Sequence, residues 1–145
     1  MATINATISV YSDIMSYPVS ISKSMTMTKD QSSNGLEETT GMRTKKFTST
    51  TAAVIVEHDE LTDDKAHKLY VRNASTSKVN FFYIAYNASA AGATTTETIG
   101  KLYGGDWMLI PYDGNVNIMA ASSSATDTQY LEYMVFADGI VTATG

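Results

Sequence analysis

The chain has 145 residues, no cysteine, and 10 Lys and Arg against 15 Asp and Glu, which gives a net charge of −5. This length suits one domain, and such a domain buries about 68–70% of the surface that its unfolded chain exposes. Without cysteine there is no disulfide framework, no thiolate nucleophile and no Cys-based metal site. The acidic balance argues against nucleic acid as a partner, because phosphates are neutralised by clustered Lys and Arg.

The first ten residues contain neither a basic segment nor a continuous apolar segment, so the sequence predicts no secretory signal. No apolar run approaches the ~20 residues that cross a bilayer. We therefore expect a soluble chain that is made in a cytoplasm and has no membrane partner.

Alternation of apolar and polar residues predicts two strands near the N-terminus. The alternating apolar residues are Ile4, Ala6, Ile8, Val10, Val19, Ile21, Met25 and Met27. A polar stretch follows at 28–51, where Asn34-Gly35 is a strong turn signal. An insert of this length inside a compact domain is typically functional or disordered. Residues 1–28 are therefore predicted to form an N-terminal arm or edge strands, and 29–51 a polar linker or loop.

The segment 52–145 is predicted to be the β-sandwich body. Its expected strands lie at 52–57, 67–73, 78–86, 98–103, 106–110, 116–120 and 129–136. Short strands separated by turn residues are typical of a sandwich, a jelly roll or a small barrel. The predicted fold is therefore all-β: a β-sandwich of the jelly-roll kind with an extended N-terminal arm or hairpin. A helix over Asp127–Phe136 remains an alternative, and Asp59–His67 has room for one helical turn.

A glycine pair precedes the only Trp of the chain. Gly104 and Gly105 predict a tight turn, since glycine enters the left-handed region without steric cost. Pro111 is expected to end the strand that begins near Trp107. This segment predicts a structural corner with an aromatic anchor, and it contains no residue type that usually performs chemistry.

The residues that could carry chemistry form no recognised motif. His58 and His67 flank the acidic stretch 57–64, but their spacing matches no metal site, and a solvated loop is the favoured interpretation. There is no Gly-x-Ser-x-Gly and no P-loop. A pair of carboxylates for glycoside hydrolysis would have to come from surface acids such as Glu97, Asp106 and Glu132. The sequence therefore predicts no catalytic residue, no metal site, no cofactor and no enzymatic activity.

Aromatic residues could instead build a recognition surface. Tyr and Trp are enriched at interfaces and also stack on sugars, so a carbohydrate site and a subunit interface are both open, with the interface favoured. The sugar-site candidates are Tyr70, Tyr83, Tyr86, Tyr103, Trp107, Tyr112 and Tyr130. The residues assigned to an interface are Ile4, Ile8, Val10, Tyr11, Tyr103, Trp107 and Tyr112. The competing interpretation, favoured for Trp107, Phe81 and Phe136, is that these rings fill the core.

Three segments, Lys68–Asn73, Glu97–Pro111 and Tyr130–Phe136, resemble small structural proteins of tailed bacteriophages, in particular marine and cyanobacterial phages. In those proteins a Leu-Tyr-(Val/Ile)-(Arg/Lys)-Asn strand precedes a Gly-Asp-Trp corner that leads to Ile-Pro, and a Glu-Tyr-Met strand closes the domain. The resemblance covers residues 67–137 and carries no functional residues, because the shared positions look like fold determinants.

The resemblance implies a non-enzymatic virion component on the capsid surface. The expected function is that of a cement or decoration protein, which binds and stabilises the lattice of the major capsid protein. A homo-oligomer is expected, with a trimer favoured. The alternative is a tail or head-fibre component with a carbohydrate- or receptor-binding sandwich.

Overall fold

The structure is a computed structural model that describes residues 3–87 and 98–141. Within these ranges the protein has eleven β-strands and a single 3-10 turn at His58–Glu60. The strands are β1 (Asn5–Ser12), β2 (Val19–Thr26), β3 (Glu38–Thr39), β4 (Arg43–Phe47), β5 (Ala53–Val56), β6 (His67–Asn73), β7 (Phe81–Asn87), β8 (Thr98–Tyr103), β9 (Trp107–Tyr112), β10 (Asn117–Ser122) and β11 (Gln129–Ala137). The prediction of an all-β fold is confirmed, and the alternative of a helix at 127–136 is wrong.

Strands β1 and β2 form the N-terminal hairpin, a two-stranded antiparallel sheet. Residues that face each other across such a pair project from the same side, so Val10 opposite Ile21 and Ala6 opposite Met25 give an apolar face. Asn5 opposite Thr26 belongs to the other face, which is otherwise made of Ser, Thr and Tyr11. In the part of the chain that is described, neither strand joins a further ladder.

The remaining nine strands form two sheets. One has the order β5-β10-β7-β8, and the other has the order β3-β11-β6-β9 with β4 also paired to β11. From β4 onward the pairing is nested: β4 pairs with β11, β5 with β10, β6 with β9 and β7 with β8. All four pairs are antiparallel.

The core lies between the two sheets. Phe47 of β4 meets Phe82 of β7 edge-to-face, with the ring centroids 5.0 Å apart. In β6 and in β11 every second residue is buried, as expected of strands that cover one face of a core. The fully buried apolar residues include Leu69, Val71, Phe82, Ile84, Ile118 and Leu131. Each such side chain contributes roughly 1.5–3 kcal/mol relative to its exposed state.

The prediction of a polar linker at 29–51 is wrong, because this segment contributes β3 and β4 to the five-stranded sheet. Leu36 is fully buried and its N–H donates to the Met27 carbonyl at 3.0 Å. The Asp30 N–H donates to Asp138 Oδ2 at 2.6 Å, which ties the segment to the end of β11. The chain turns slightly earlier than the predicted Asn34-Gly35: the reversal lies at 30–34, Lys29 N–H donates to the Asn34 carbonyl at 2.8 Å, and Gly35 already pairs with Thr28. The sequence signal is weak because β4 has a single buried side chain, Phe47.

Strand β9 differs from its prediction in two ways. It continues through Pro111 to Tyr112 instead of ending at the proline. Among the described strands β9 pairs only with β6, so it is an edge strand, and an edge strand tolerates a residue without a backbone N–H. Met108 and Ile110 pack against the core, so Trp107 on the opposite face is 54% exposed. The core-filling interpretation of Trp107 is therefore wrong.

Phe81 and Phe136 also do not fill the core. Each is half-buried on an outer face, because the adjacent Phe82 and Val135 take the inward positions.

Candidate functional site

The glycine corner between β8 and β9 fixes where Trp107 lies. Gly105 has a φ of +87°, which favours glycine. Gly104 passes so close to the loop before β7 that an added Cβ would lie 2.4 Å from the Ser77 carbonyl oxygen. The Gly104 N–H donates to that oxygen at 2.8 Å, and Asp106 closes the turn by accepting from the Tyr103 N–H at 2.9 Å.

Asn73 at the end of β6 holds the corner in place. The side chain is fully buried, its Nδ2 donates to the Leu102 carbonyl at 2.9 Å, and its Oδ1 accepts from the Ser75 N–H at 2.9 Å. Its backbone N–H and carbonyl bond to the Asp106 carbonyl and the Gly105 N–H, both at 2.9 Å. The Asn that ends β6 and the Gly-Gly-Asp before β9 are therefore one structural unit, which orients the start of β9.

A groove of about 220 Å³ separates the N-terminal hairpin from β9. Its lining residues are Ala6, Thr7, Ile8, Lys23, Ser24, Met25, Trp107 and Leu109. Lys23 is the one charged residue of the lining, and among the described residues no carboxylate lies within 4.0 Å of it. We call this feature the hairpin groove.

The N-terminal hairpin exposes most of its apolar residues. In the connection between β1 and β2, Ile14, Tyr17 and Met15 are 84%, 79% and 62% exposed, and we call residues 13–18 the hairpin tip. Val10 and Ile21 on the apolar face are each more than 40% exposed. A two-stranded hairpin is marginally stable in water by itself, and clustered exposed apolar residues mark interaction sites. The hairpin therefore has the composition of a contact surface.

The structure brings most of the predicted interface residues to this region. Ile8, Val10 and Tyr11 are exposed on the hairpin, Ile4 is half-buried at its base, and Trp107 lies across the groove. The sequence analysis did not assign the tip residues to an interface. Two apolar residues and a Tyr in the short connection between two predicted strands could have indicated an exposed contact surface.

Tyr103 lies elsewhere, on the outer face of the four-stranded sheet. Its ring centroid is 5.2 Å from that of Phe81, which meets Tyr83 edge-to-face at 4.9 Å. Lys101 Nζ lies 4.7 Å from the Phe81 centroid, within the range of a cation–π contact. These four residues form a second, half-buried surface that we call the aromatic cluster.

The assignment of Tyr112 to an interface is wrong, because it faces the core and is only 5% exposed. Its hydroxyl donates to the Val116 carbonyl oxygen. Burial, with smaller contributions from the Asp113 and Asp63 carboxylates, raises the pKa of the phenol.

The histidines occupy different environments. His67 is fully buried; its Nε2 donates to the Thr62 carbonyl at 2.8 Å, and its Nδ1 accepts from the Asp138 N–H at 2.9 Å. Both ring nitrogens are thus used by the backbone, which leaves no lone pair for a metal. His58 Nδ1 lies 3.2 Å from Asp59 Oδ1 on the surface. Within residues 3–87 and 98–141 there is no group of three His, Asp or Glu that could hold a metal ion.

Of the carboxylates considered for glycoside hydrolysis, the two that are described each have hydrogen-bond partners within the chain. Glu132 accepts from the Tyr70 hydroxyl at 3.0 Å and from Arg72 at 3.4 Å, and Asp106 closes the glycine corner. Burial, followed by the hydrogen bond to Glu132 and its charge, raises the pKa of Tyr70, although Arg72 opposes the shift. Glu97 lies outside the described residues.

Comparison with known proteins gives no assignment: no family model, no curated protein and no solved structure matches the chain. No helix in the described ranges has the length and apolar character to cross a bilayer.

Proposed function

We propose that this chain is a non-enzymatic virion structural protein, a capsid cement or decoration protein that binds and stabilises the lattice of the major capsid protein. The observation that carries the proposal is the N-terminal hairpin, whose apolar face and tip are largely left uncovered by the rest of the described chain. The resemblance of residues 67–137 to phage structural proteins supports a phage virion as the particle.

The mechanism uses binding energy alone. An arm that inserts its tip between capsid subunits removes the exposed side chains of Ile14, Met15 and Tyr17 from water. The free edges of β1 and β2 can add main-chain hydrogen bonds to a neighbouring sheet, which is the β-augmentation mode of recognition. A homo-oligomer, with a trimer favoured, multiplies the weak contact of each arm into avidity at a symmetric site.

The arrangement of the body is consistent with this proposal. The eight strands from β4 to β11 pair in nested order: the first pairs with the last, the second with the second to last, and the two middle strands with each other. Such an order results when a long antiparallel hairpin is rolled into two sheets. On this pairing we propose that the body is a jelly roll, an architecture of viral capsid domains and of lectins.

A tail or head-fibre component that binds a carbohydrate receptor is the second candidate. The observation that favours it is the aromatic cluster, because half-buried aromatic rings on a protein surface can stack on sugars. Under this candidate, soluble glycans protect Tyr83 and Tyr103 from chemical modification, whereas capsid affinity is absent.

The experiment for the first proposal is co-sedimentation of the purified protein with particles of the source virus. Replacing Ile14, Met15 and Tyr17 together by Ser should abolish co-sedimentation, with the urea unfolding midpoint unchanged because these side chains are exposed. The matched control is Val79→Ser, which removes an apolar side chain that is 82% exposed on the body. Equal binding by the tip variant and the control would refute the proposed role of the hairpin.

A further inference from the structure

We infer that Asn34 is a site of self-modification, at which the backbone nitrogen of Gly35 displaces ammonia from the Asn34 side-chain amide and leaves aspartate or isoaspartate. The reaction needs no enzyme, cofactor or partner, so it is independent of the proposed function. Asparagine is among the thermolabile residue types, and the surroundings of each asparagine decide which of them reacts.

The residue that follows each asparagine distinguishes Asn34 from the others. Among all the asparagines of the chain, Asn34 alone is followed by glycine. The nitrogen that attacks the amide belongs to this next residue, and glycine allows a close approach because it has no Cβ. The other asparagines are followed by Ala, Phe, Val or Ile, whose side chains hinder the approach.

Both reacting groups lack hydrogen-bond partners in the part of the chain that is described. Asn34 is exposed, and no described residue bonds to its side-chain amide. Gly35 lies opposite Thr28 in an isolated antiparallel bridge. The bond beside this bridge runs from the Leu36 N–H to the Met27 carbonyl at 3.0 Å, so the bridged pair itself is a non-hydrogen-bonded pair. The Gly35 N–H is therefore not used by the ladder, and hydroxide can remove its proton.

The two Asp-Gly pairs of the chain could form the same ring, but hydrogen bonds hold their side chains. Asp138 Oδ2 accepts from the Asp30 and Ala66 N–H groups at 2.6 and 3.2 Å. Asp113 accepts from Asn115 through both of its carboxylate oxygens. An ionised carboxylate is also a weaker electrophile than an amide, so neither aspartate competes with Asn34.

Ring closure and hydrolysis together exchange one ammonia for one water. The deprotonated Gly35 nitrogen attacks Asn34 Cγ, the N–Cγ bond forms and the Cγ–Nδ2 bond breaks, and ammonia leaves with a proton from water. Water then opens the succinimide ring at one of its two carbonyl carbons, which gives aspartate or isoaspartate. Either product adds one negative charge to the net charge of −5.

The reaction alters the turn that docks the segment 28–36. Ring closure rotates the peptide group between Asn34 and Gly35, whose carbonyl accepts from the Lys29 N–H at 2.8 Å, so this bond has to open first. Surface turns with few buried contacts open at a low free energy. Isoaspartate then inserts a methylene into the main chain, which displaces the fully buried Leu36 from its bond to Met27. The isoaspartate form should unfold at a lower urea concentration than Asn34→Asp, which adds the same charge without lengthening the main chain.

The experiment incubates the full chain at neutral and at mildly alkaline pH and then digests it with trypsin. Cleavage after Lys29 and Arg43 releases residues 30–43, in which Asn34 is the only asparagine. We expect this peptide to gain the mass of an exchange of amide for hydroxyl, at a rate proportional to the hydroxide concentration. Peptides that contain the other asparagines should stay unchanged, and an isoaspartyl methyltransferase should label only the peptide 30–43.

Three variants test the roles of the reacting groups. Gly35→Ala should suppress the conversion, because the new Cβ hinders the attacking nitrogen. Asn34→Gln should abolish it, because glutamine would have to close a larger ring. The matched control is Ser33→Ala, which changes an exposed neighbour of Asn34 and should leave the rate unchanged.

Three results would overturn the inference. The first is conversion of the capped peptide Ser-Ser-Asn-Gly-Leu without conversion of the full chain, which would show that the folded turn protects Asn34. The second is equal conversion in Gly35→Ala, and the third is equal conversion at the other asparagines. Equal urea midpoints for the isoaspartate form and Asn34→Asp would contradict the displacement of Leu36.

Discussion

Gly104→Ala is expected to destabilise the whole β8–β9 corner. An added Cβ would lie 2.4 Å from the Ser77 carbonyl oxygen, 2.6 Å from the Thr76 carbonyl carbon and 2.7 Å from the Ser75 carbonyl oxygen. All three atoms belong to the backbone, so no side-chain rotation relieves the contact. Either the loop at 75–77 or the corner itself has to move.

Two effects of the substitution lower the free energy of unfolding. Forcing an extra carbon into a packed site costs typically 1–3 kcal/mol. Moving the corner away from the loop also breaks the hydrogen bond from the Gly104 N–H to Ser77, and a buried group left unpaired costs about 1–3 kcal/mol. We expect the free energy of unfolding to fall by about 3 kcal/mol, since the two losses share one displacement.

The assay is equilibrium unfolding in urea, followed by tyrosine and tryptophan fluorescence. The matched control is Gly100→Ala in β8, four residues before Gly104, where an added Cβ meets no atom within 4 Å. That variant should be neutral or slightly more stable, because Ala loses less backbone entropy than Gly on folding. If Gly104→Ala unfolds at the same urea concentration as Gly100→Ala, the corner is not packed as described.

Two further predictions concern buried polar groups. Asn73→Ala should lower the free energy of unfolding by about 2–3 kcal/mol, because it leaves the Leu102 carbonyl without its donor, and the same urea assay measures it. Tyr112→Phe should cost about 1 kcal/mol near neutral pH through loss of the bond to Val116. Burial raises the pKa of Tyr112, so the unfolded chain releases its phenolic proton first, and stability should fall as pH rises above about 10. Urea midpoints measured from neutral to alkaline pH should decline less steeply in Tyr112→Phe, and an unchanged slope would contradict the role of this phenol.

Sequence alternation predicted strands well where it coincides with burial. The expected strand at 67–73 matches β6, in which inward residues such as Leu69 and Val71 alternate with outward polar ones. The same rule missed β4, because an edge strand with only Phe47 directed inward carries almost no periodic signal. Long-range contacts rather than local pattern hold that segment in the sheet.

The candidate site was predicted in part, for a similar reason. The two strands of the hairpin were predicted from the alternation of apolar and polar residues. The register in which β1 pairs with β2 then defines the apolar face of the hairpin. In β9 both faces are apolar, so the sequence does not determine which of Trp107 and Tyr112 is directed inward. The glycine corner, held by Asn73 from a distant part of the chain, sets where β9 begins, and pairing with β6 then leaves Trp107 facing the hairpin groove.

We propose that the protein is a stoichiometric part of a capsid. The most direct measurement is its copy number, by quantitative peptide mass spectrometry, in gradient-purified particles of the source virus. We expect a copy number comparable to that of the major capsid protein. A few copies per particle would contradict the decoration role in favour of a tail or fibre position, and absence from particles would contradict both.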